Sequence, residues 1–435
     1  MSRINISRRH FLKTSAVLSG LAAVNVAVPA FCTDAAPSNK LNVAVIGPCN
    51  RGGANLSGVI GENVLAICDV DSRNLAAAGE RVPNARKFED FRKMLEAVER
   101  DIDAVVVSTP DHTHAVCAAL ALRMGTHCYC EKPLTHEVFE CRTLQKLAKE
   151  KNLVTQMGTQ IHAEENYRQV VELIQTGAIG PVREVHTWFS PVGAINVGRP
   201  AEQPVPEYLN WDLWLGPAAY RPYSPVYHPG TWRRYWDFGN GTMGDFACHH
   251  MDLPFWALNL SDCTTVDAVG ENHDPEGTPH DLEVVYTFPA RGDLPPVTLT
   301  WYNGHMPAVL DKLGVSEPPI AGNLFVGEKG MIVADYSMHR LLPEEKFADF
   351  RRPDPFIPRS SGFHAEWIQA CKDNRPDAPT CQFGYSGRLT ETVLLGSVSF
   401  KMRQKLVWDA ENLRITNVEA ANALLSREYR PGWEL

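Results

Sequence analysis

Between residues 40 and 157, short β-branched apolar runs alternate with longer amphipathic stretches in which apolar residues recur at helical spacing. The strand-like and helix-like segments follow one another at 41–46, 51–61, 63–69, 72–82, 91–100, 104–108, 115–124 and 127–130. Alternation at these lengths is typical of a parallel sheet with helices on both faces. The pattern therefore predicts an α/β fold whose first domain spans residues 40–157.

The first strand-like run ends in a glycine-rich turn at residues 47–53. A dinucleotide site needs glycines at this point, because the backbone must approach the pyrophosphate and the helix N-terminus must face it. Gly47 and Gly52 take the first and third positions of the G-x-G-x-x-G pattern, and Cys49 replaces the middle glycine. We predict a Rossmann dinucleotide-binding domain in which Gly47, Cys49, Asn50, Arg51 and Gly52 lie at the cofactor.

Asp69 ends the second strand-like run, 22 positions after Gly47. A carboxylate there accepts hydrogen bonds from the adenosine ribose and repels a 2′-phosphate, so the sequence favours NAD over NADP. Arg73 is an opposing feature, because an arginine suits a 2′-phosphate. The alternative for Asp69 is an ordinary solvated loop aspartate.

Polar residues also follow the third and fourth strand-like runs, at the sheet edge where ligands of such folds bind. They are Thr109, His112 and His114 after one run, where Pro110 is a further candidate cofactor residue, and Glu131 and Lys132 after the other. We expect the two histidines to shape the cofactor loop and Lys132 to place a cation at the mouth of the crevice. The alternative for Lys132 is a solvated lysine ahead of a helix.

In the second half, a helix over residues 244–258 would carry Asp245, His249 and Asp252 on one face, with His250 about a quarter-turn away. A histidine can take a proton from a hydroxyl near neutral pH, and a carboxylate in reach can orient it. The alternatives are a capping aspartate with a core histidine, and a metal site. The spacing matches no recognised zinc signature, so we predict no metal.

Residues 208–238, called the aromatic segment below, contain ten aromatic residues in 31 positions, interrupted by proline and glycine. Aromatic faces with polar neighbours suit sugar rings, so Trp232, Arg233 and Trp236, together with His250, are candidate substrate residues. The alternative is that these rings hold irregular loops onto the core.

The first thirty residues predict a twin-arginine export signal: Arg8 and Arg9, an uncharged apolar run, and a Val28-Pro29-Ala30 cleavage site. The run is too short for a spanning helix of about 20 residues, so we expect export to the periplasm by the twin-arginine machinery and no stable membrane span after cleavage. A retained anchor is the alternative.

The net charge of −9 argues against nucleic acid as a partner. The eleven cysteines form no disulfide framework, and we expect most to be buried thiols.

An ordered set of fragments resembles the Gfo/Idh/MocA family of oxidoreductases, in particular its exported bacterial members. The fragments are VAVIG, ICDVD, VVVSTPDHTHA, EKPLTH, MGTQ, GAIGPVREV, NWDLWLGPA, GTMGDFACHHMDLPFWAL and RLTETVLLG. The resemblance implies a second α/β domain at 158–420 with an open mixed, largely antiparallel sheet, and a C-terminal segment that packs back on the Rossmann domain. It also implies a homo-oligomer, a dimer or tetramer.

In that family the E-K-P lysine lies beside the nicotinamide, which corresponds to Lys132, and a D-x-x-x-H pair completes the site, which corresponds to Asp245 and His249. Gln160 of MGTQ joins the cofactor residues. The resemblance implies an NAD-dependent oxidoreductase that acts on a CH–OH group of a sugar or sugar derivative with a tightly bound cofactor. A redox-neutral NAD-cycling hydrolase, lyase or epimerase is the alternative, although the T-H-G segment of such hydrolases is absent. A third interpretation is that the protein binds a sugar without catalysing a reaction.

Overall fold

Six parallel strands form the first sheet, in the order β3-β2-β1-β4-β5-β6. The computed structural model describes residues 39–191, 198–271 and 274–435. The strands are β1 Asn42–Ile46, β2 Asn63–Cys68, β3 Arg86–Phe88, β4 Ala104–Val107, β5 His127–Cys130 and β6 Thr155–Met157. The connecting helices are α1 Arg51–Val59, α2 Ser72–Arg81, α3 Phe91–Val98, α4 Asp111–Arg123 and α5 Val138–Lys151. This strand order is that of a dinucleotide-binding Rossmann fold, and the predicted fold is confirmed.

The strand β1 shows why the sheet is buried on both sides. Successive side chains of a strand point to opposite faces, so Val43 and Val45 pack in one apolar cluster while Ala44 and Ile46 pack in another. All four side chains are almost completely buried. A strand covered on both faces reads as an uninterrupted apolar run, which is the pattern seen in the sequence.

The second sheet has nine strands in the order β13-β12-β11-β7-β10-β9-β8-β14-β15. They are β7 Val182–Phe189, β8 Thr265–Gly270, β9 Leu282–Phe288, β10 Val297–Asn303, β11 Ala321–Gly327, β12 Gly330–Ala334, β13 His339–Leu342, β14 Leu406–Asp409 and β15 Arg414–Ile415. The β7–β10 pair is parallel, and the other neighbouring strands are antiparallel. The sheet is therefore mixed and largely antiparallel, as predicted. A tight turn between Gly327 and Gly330 joins β11 to β12.

The remaining helices include two long ones near the C-terminus. The helices are α6 Glu165–Gln175, α7 Trp211–Leu215, α8 Cys248–His250, α9 Asp252–Ala257, α10 Val309–Lys312, α11 Phe363–Asp373 and α12 Phe383–Met402. No helix of the described ranges is long and apolar enough to cross a membrane. The predicted signal peptide and its cleavage site lie outside the described residues.

Both long C-terminal helices contact the first half of the chain. In α11, Phe363 and Trp367 join the apolar cluster of Val43 and Val45, and Trp367 packs edge-on against Tyr129 of β5 at 5.7 Å. In α12, Glu391 forms an ion pair with Arg142 of α5. Residues 41–435 accordingly form one compact unit that contains both sheets. The domain boundary at residue 157 stays a prediction.

Two short strands and one helix start differ from the expectations. The sequence pattern did not indicate β3 or β6. Each of these strands has three residues and lies at an edge of the first sheet. The helix α4 begins at Asp111, four residues before the predicted start. His112 and His114 therefore lie in its first turn. The ten described cysteines are free, and nine of them are buried, as expected.

We expect Trp367→Ala to lower the free energy of unfolding by about 3–5 kcal/mol, because Trp367 is completely buried between α11 and the first sheet. Urea unfolding followed by far-UV circular dichroism measures the change. Val269→Ala is the control, since Val269 is 71% exposed and its loss should change stability by less than about 0.5 kcal/mol. Equal losses in the two variants would contradict the role given to this contact.

Candidate active site

A cleft of about 600 Å³ follows the carboxyl ends of β1, β2, β4 and β5. Its volume lies within the range of about 300–1,000 Å³ that small-molecule sites occupy. Fifteen of the predicted site residues line it: Gly47, Cys49, Asn50, Arg51, Asp69, Thr109, Pro110, His114, Glu131, Lys132, Gln160, Trp232, Arg233, Asp245 and His249.

Gly47 and Gly52 make the tight turn between β1 and α1 possible. Gly47 has a φ of +73°, and a Cβ there would lie 2.7 Å from the carbonyl oxygen of Ser108. A Cβ on Gly52 would lie 1.7 Å from the carbonyl oxygen of Gly47. Gly52 therefore supports the turn from behind and is not part of the cleft wall. Any side chain at either position would therefore displace the backbone of the turn that would hold the pyrophosphate of a dinucleotide.

Cys49, at the middle position of the glycine pattern, does not block the turn between β1 and α1. Its Sγ lies 3.2 Å from the carbonyl oxygen of Asn74, in the segment that follows β2. Burial raises the pKa of the Cys49 thiol, which keeps it neutral at physiological pH. Cys49 thus links the first two βα connections of the sheet at the edge of the cleft.

Glu131, directly after β5, accepts hydrogen bonds from side chains of two other segments, α1 and the short helical turn at Gln160–Ala163. Its Oε1 accepts from Arg51 Nε at 3.2 Å, from Asn55 Nδ2 at 2.9 Å and from Gln160 Nε2 at 2.8 Å. Gly158 leaves room for this carboxylate, because a Cβ there would lie 2.5 Å from Glu131 Oε1. Glu131 therefore fixes Arg51 and Gln160 in the cleft wall. The sequence predicted Glu131 as a site residue, but it gave no indication of Asn55 or Gly158.

The histidines of α4 connect loops around the cleft. The ring nitrogens of His114 lie 2.8 Å from the carbonyl oxygen of Pro133 and 2.7 Å from that of Thr109. His112 is completely buried, with Nε2 2.9 Å from the carbonyl oxygen of Trp214. Burial lowers the pKa of His112 well below its usual range. His112 thus lies behind the wall, where it anchors the aromatic segment.

Two of the candidate substrate residues lie away from the cleft wall. The ring of Trp236 packs near Phe400, with Lys401 Nζ 4.2 Å from its centroid. His250 is buried against Tyr336, with parallel rings 4.6 Å apart and Nε2 3.0 Å from the Tyr336 hydroxyl. Because burial lowers the pKa of His250 to about 3, this histidine is neutral at physiological pH. The structure therefore gives both residues packing roles.

Asp69 and Asp71 at the end of β2 differ in their surroundings. Asp69 lines the cleft and receives a hydrogen bond from the Asp71 backbone N–H at 2.9 Å, and burial raises its pKa to about 6. Burial opposes ionisation of Asp71 as well, but hydrogen bonds from Arg73 and His228 outweigh it and lower the pKa of Asp71 to about 2. Arg73 is held by Asp71 and by the Tyr208 ring, 3.4 Å away, and does not line the cleft.

Lys132 and Asp245 meet at the other side of the cleft. Lys132 Nζ donates to the Asp245 carboxylate and, at 2.7 Å, to the Asp245 carbonyl oxygen. Arg233 lies 3.6 Å from the same carboxylate and 3.1 Å from the buried carboxylate of Asp111. Two cations and two anions thus alternate in one network. Burial alone would raise the pKa of Asp245, but Arg233 and Lys132 hold it below its ordinary value.

His249 shares this part of the cleft wall. Burial, with the positive charge of Lys132 nearby, lowers the pKa of His249 well below 6.5. Its Nδ1 is buried without a hydrogen-bond partner among the described residues. A neutral imidazole beside an ammonium group can accept a proton from a hydroxyl that Lys132 binds.

The predicted face of Asp245, His249 and Asp252 does not form, because the segment begins with a π-helical turn at Met243–Ala247. Its i→i+5 hydrogen bonding changes the angular spacing of the side chains. Asp252 is completely buried and lies 2.9 Å from His162 Nδ1, and it accepts from the Tyr385 hydroxyl at 2.8 Å. Of the described residues, only His162, Asp252 and Cys381 have a spacing suited to a metal. The Asp252 carboxylate in that group is already hydrogen-bonded to His162 and Tyr385.

Several cleft residues have polar atoms that a dinucleotide could satisfy. Thr109 Oγ1, Trp214 Nε1, Arg233 Nε and His249 Nδ1 are buried without a partner in the described part of the chain. Buried polar groups are normally hydrogen-bonded, so these atoms indicate a polar ligand. With the Gly47 turn and Asp69, they fit NAD: the turn would hold the pyrophosphate and Asp69 the adenosine ribose. Nothing in the sequence distinguished Trp214 from the other rings of the aromatic segment.

Two family models match the chain and together cover more than half of it. The model described as "Oxidoreductase family, NAD-binding Rossmann fold" matches residues 41–159, and its "C-terminal alpha/beta domain" matches residues 183–288. The chain belongs to the Gfo/Idh/MocA oxidoreductase family. Its first sheet and helices are therefore the family's NAD-binding domain.

The curated relatives match only part of the chain. Inositol 2-dehydrogenase of Salmonella paratyphi B is 28% identical over 130 residues, 29% of this chain and 38% of the relative. Glycosyl hydrolase family 109 protein 1 of a Shewanella species is 28% identical over 204 residues, 40% of this chain and 44% of the relative. The match thus spans less than half the length of either relative.

Among solved structures, the WlbA dehydrogenase of Bordetella pertussis in complex with NADH and UDP-GlcNAcA superposes with a TM-score of 0.61. It is 15% identical, and the match covers 85% of this chain and 99% of that one. At this identity the similarity establishes a shared Gfo/Idh/MocA fold over both sheets.

We expect the affinity for NAD to fall as the pH is lowered through about 6, the pKa of Asp69. Protonation removes the charged acceptor for the ribose hydroxyls, which should weaken binding roughly tenfold. Calorimetric titration across this range measures the effect. Asp69→Asn should bind weakly at all pH values without the step. A step retained in Asp69→Asn would assign the titration to another group.

Proposed function

We propose that this protein is an NAD-dependent oxidoreductase that acts on a CH–OH group of a sugar or sugar derivative. The observation that carries the proposal is the grouping of Lys132, Asp245 and His249 in one wall of a cleft that also contains Asp69. Lys132 follows β5 and Asp69 follows β2, with β1 and β4 between them in the sheet. This separation suits an extended dinucleotide whose nicotinamide end lies beside the Lys132 network.

The side chains of the network have complementary roles in alcohol oxidation. Lys132 donates a hydrogen bond to the substrate hydroxyl and stabilises the negative charge that develops on its oxygen. Neutral His249 accepts the hydroxyl proton, and ionised Asp245 orients the Lys132 ammonium group. The bound nicotinamide supplies the hydride acceptor for the carbinol carbon. Binding NAD in preference to NADP follows from Asp69 in the cleft and from the engagement of Arg73 with Asp71.

A sugar or polyol is the substrate class supported by the cleft and by the relatives. Trp232 and Arg233 line the wall near Lys132, with the guanidinium 4.3 Å from the indole centroid. An aromatic face with a polar neighbour suits a ring that carries hydroxyl groups. One relative is named for inositol oxidation, and a structural neighbour was solved with a nucleotide sugar.

A redox-neutral NAD cycle is the second candidate. The relative named as a family 109 glycosyl hydrolase matches 204 residues, against 130 for the inositol dehydrogenase. In such a cycle the cofactor stays bound, and the hydride returns to the substrate after elimination or hydrolysis at a neighbouring carbon. Net formation of NADH from a free sugar favours the dehydrogenase, and cleavage of a glycoside without net NADH favours the cycle.

The proposal includes export with the cofactor already bound. Arg8, Arg9 and the apolar run behind them support transport by the twin-arginine machinery, which carries folded proteins to the periplasm. Free NAD is not expected there, so the cofactor would have to stay bound between turnovers. A homo-oligomer, dimer or tetramer, is part of the same proposal.

We expect the protein purified from the periplasmic fraction to contain nearly one NAD(H) per chain. Denaturation followed by chromatography of the released dinucleotide measures its amount and redox state. Replacing Arg8 and Arg9 by lysine is the control: the variant should stay in the cytoplasm with its cofactor bound. A periplasmic protein that contains no dinucleotide and takes up none would contradict the proposed function.

We expect Lys132→Ala and His249→Ala each to lower kcat by at least about a hundredfold, since each removes a group that acts on the reacting hydroxyl. Both variants should retain dinucleotide, which is measured by release from the purified protein. Lys149→Ala, at an exposed position of α5, is the control and should keep full activity. Because the pKa of His249 is lowered, the acidic limb of the kcat/KM profile should lie below pH 6.5. Wild-type turnover in either active-site variant would refute the assignment.

A further inference from the structure

Two parts of the chain that lie far from the Rossmann domain in sequence contribute to the cofactor cleft. One is the aromatic segment, which supplies Leu213, Trp214 and His228 to the wall. The other is the last stretch of the chain, residues 425–435, called the C-terminal tail below. It supplies Trp433, two positions before the last residue of the sequence.

Trp433 is held in place although its neighbours are exposed. Its side chain is only 7% exposed, while Gly432 and Glu434 are exposed. The indole lies 6.0 Å from the Phe91 ring, and the Arg92 guanidinium lies 4.0 Å from the indole centroid. Phe91 and Arg92 begin α3 of the Rossmann domain, so the tail is packed against that domain at the cleft.

Polar contacts fix the C-terminal tail to the aromatic segment. Arg430 Nε donates to the carbonyl oxygen of Gly216 at 2.7 Å, and its Nη1 lies 2.6 Å from the Asp212 carboxylate. The backbone N–H of Trp433 donates to the Arg430 carbonyl oxygen at 3.0 Å. Arg430 therefore sets the position of the Trp433 backbone relative to α7.

The aromatic segment is in turn fixed to the end of β2. Asp71 is completely shielded in the structure, at 1% exposure, with His228 Nε2 3.2 Å from its carboxylate. The backbone N–H of Asn210 donates to the carbonyl oxygen of Val70 at 3.0 Å, and that of Ser72 donates to Tyr208 at 2.8 Å. Both segments are thus built onto the side of the cleft that contains Asp69.

Trp214 provides an independent sign of a ligand at this side. Its side chain is 3% exposed and lines the cleft, and its Nε1–H has no acceptor among the described residues. An indole N–H is a donor only, and buried donors are normally paired. The atom is therefore available to an acceptor on a bound molecule.

The location of these residues identifies the part of the dinucleotide that they meet. Asp69 marks the adenosine ribose, and Lys132 marks the nicotinamide end, on opposite sides of β1 and β4. Phe91 and Arg92 follow β3, which lies next to β2 at the far edge from Lys132. Trp433 and its neighbours consequently lie at the adenosine half of the cleft.

We propose that Trp433, with Phe91 and Trp214, forms the adenosine-binding wall of the NAD site, so that the C-terminal tail and the aromatic segment retain the cofactor. This inference rests on the proposed function, because it takes NAD as the occupant. The tail covers the cleft with an aromatic ring held by Arg430, and the cofactor leaves only when that ring moves. Contacts between a base and an aromatic ring stabilise a bound nucleotide.

The test compares the dissociation of NADH from purified variants, followed by the loss of its protein-enhanced fluorescence after addition of excess NAD. Trp433→Ala should release NADH at least about tenfold faster than the parent protein, and Arg430→Ala should show a smaller increase. NADH should dissociate from Trp433→Phe nearly as slowly as from the parent protein, because phenylalanine keeps an aromatic ring at this position. Tyr220→Ala, in the aromatic segment, is the control, since Tyr220 is 72% exposed, and it should leave the rate unchanged.

Two further probes separate a local role from a general loss of structure. Trp433→Ala should weaken binding of ADP-ribose but leave binding of nicotinamide mononucleotide unchanged. Equal weakening of both probes, or unchanged NADH dissociation in Trp433→Ala and Arg430→Ala, would overturn the inference while leaving the proposed function intact. If Trp433→Ala does not fold, Arg430→Ala still decides the question. A parent protein that binds neither NADH nor ADP-ribose would overturn the proposed function and this inference together.

Discussion

The ion pair of Lys132 and Asp245 is the contact on which the arrangement of the site depends. Lys132 lies two residues after the end of β5 in the first sheet, and Asp245 lies in the π-helical turn of the second half. One ammonium group binds both the carboxylate and the carbonyl oxygen of Asp245, so it fixes the backbone as well as the side chain. Because buried charges are costly unless they are paired, Arg233 and Asp111 complete a network in which each charge has an opposite neighbour.

That network also separates the protonation states of two adjacent groups. The nearby cations hold the pKa of Asp245 below its ordinary value despite burial, and burial together with Lys132 lowers the pKa of His249. At neutral pH the carboxylate is therefore charged and the imidazole is not. This is the combination needed for one group that orients an ammonium ion and a second that accepts a proton. The contacts that join the two halves of the protein thus also set the protonation states of Asp245 and His249.

Local pattern was enough to indicate the residues whose role depends on position along one element. Gly47 ends a strand that must turn sharply, Asp69 ends the next strand, and Lys132 follows a buried run, so each could be placed from its own neighbours. Resemblance to the family added Asp245 and His249. The predicted common face with Asp252 was wrong, because a π-helical turn changes the angular relation of side chains and leaves no mark in the hydrophobic period. Trp236 and His250 were read as substrate residues because aromatic and imidazole groups suit packing and binding equally well.

The sequence by itself determined the fold class, the parallel direction of the strands in the first sheet and the polar residues at its carboxyl edge. These features follow from the alternation of short apolar runs and helices. Only the tertiary structure decided which distant segments complete the cleft. Trp433 comes from the end of the chain and meets Phe91 in α3, and His112 turns away from the cleft to support Trp214. Contacts over such sequence separations depend on the packing of whole elements against one another. No period, cap or turn residue in either segment encodes them.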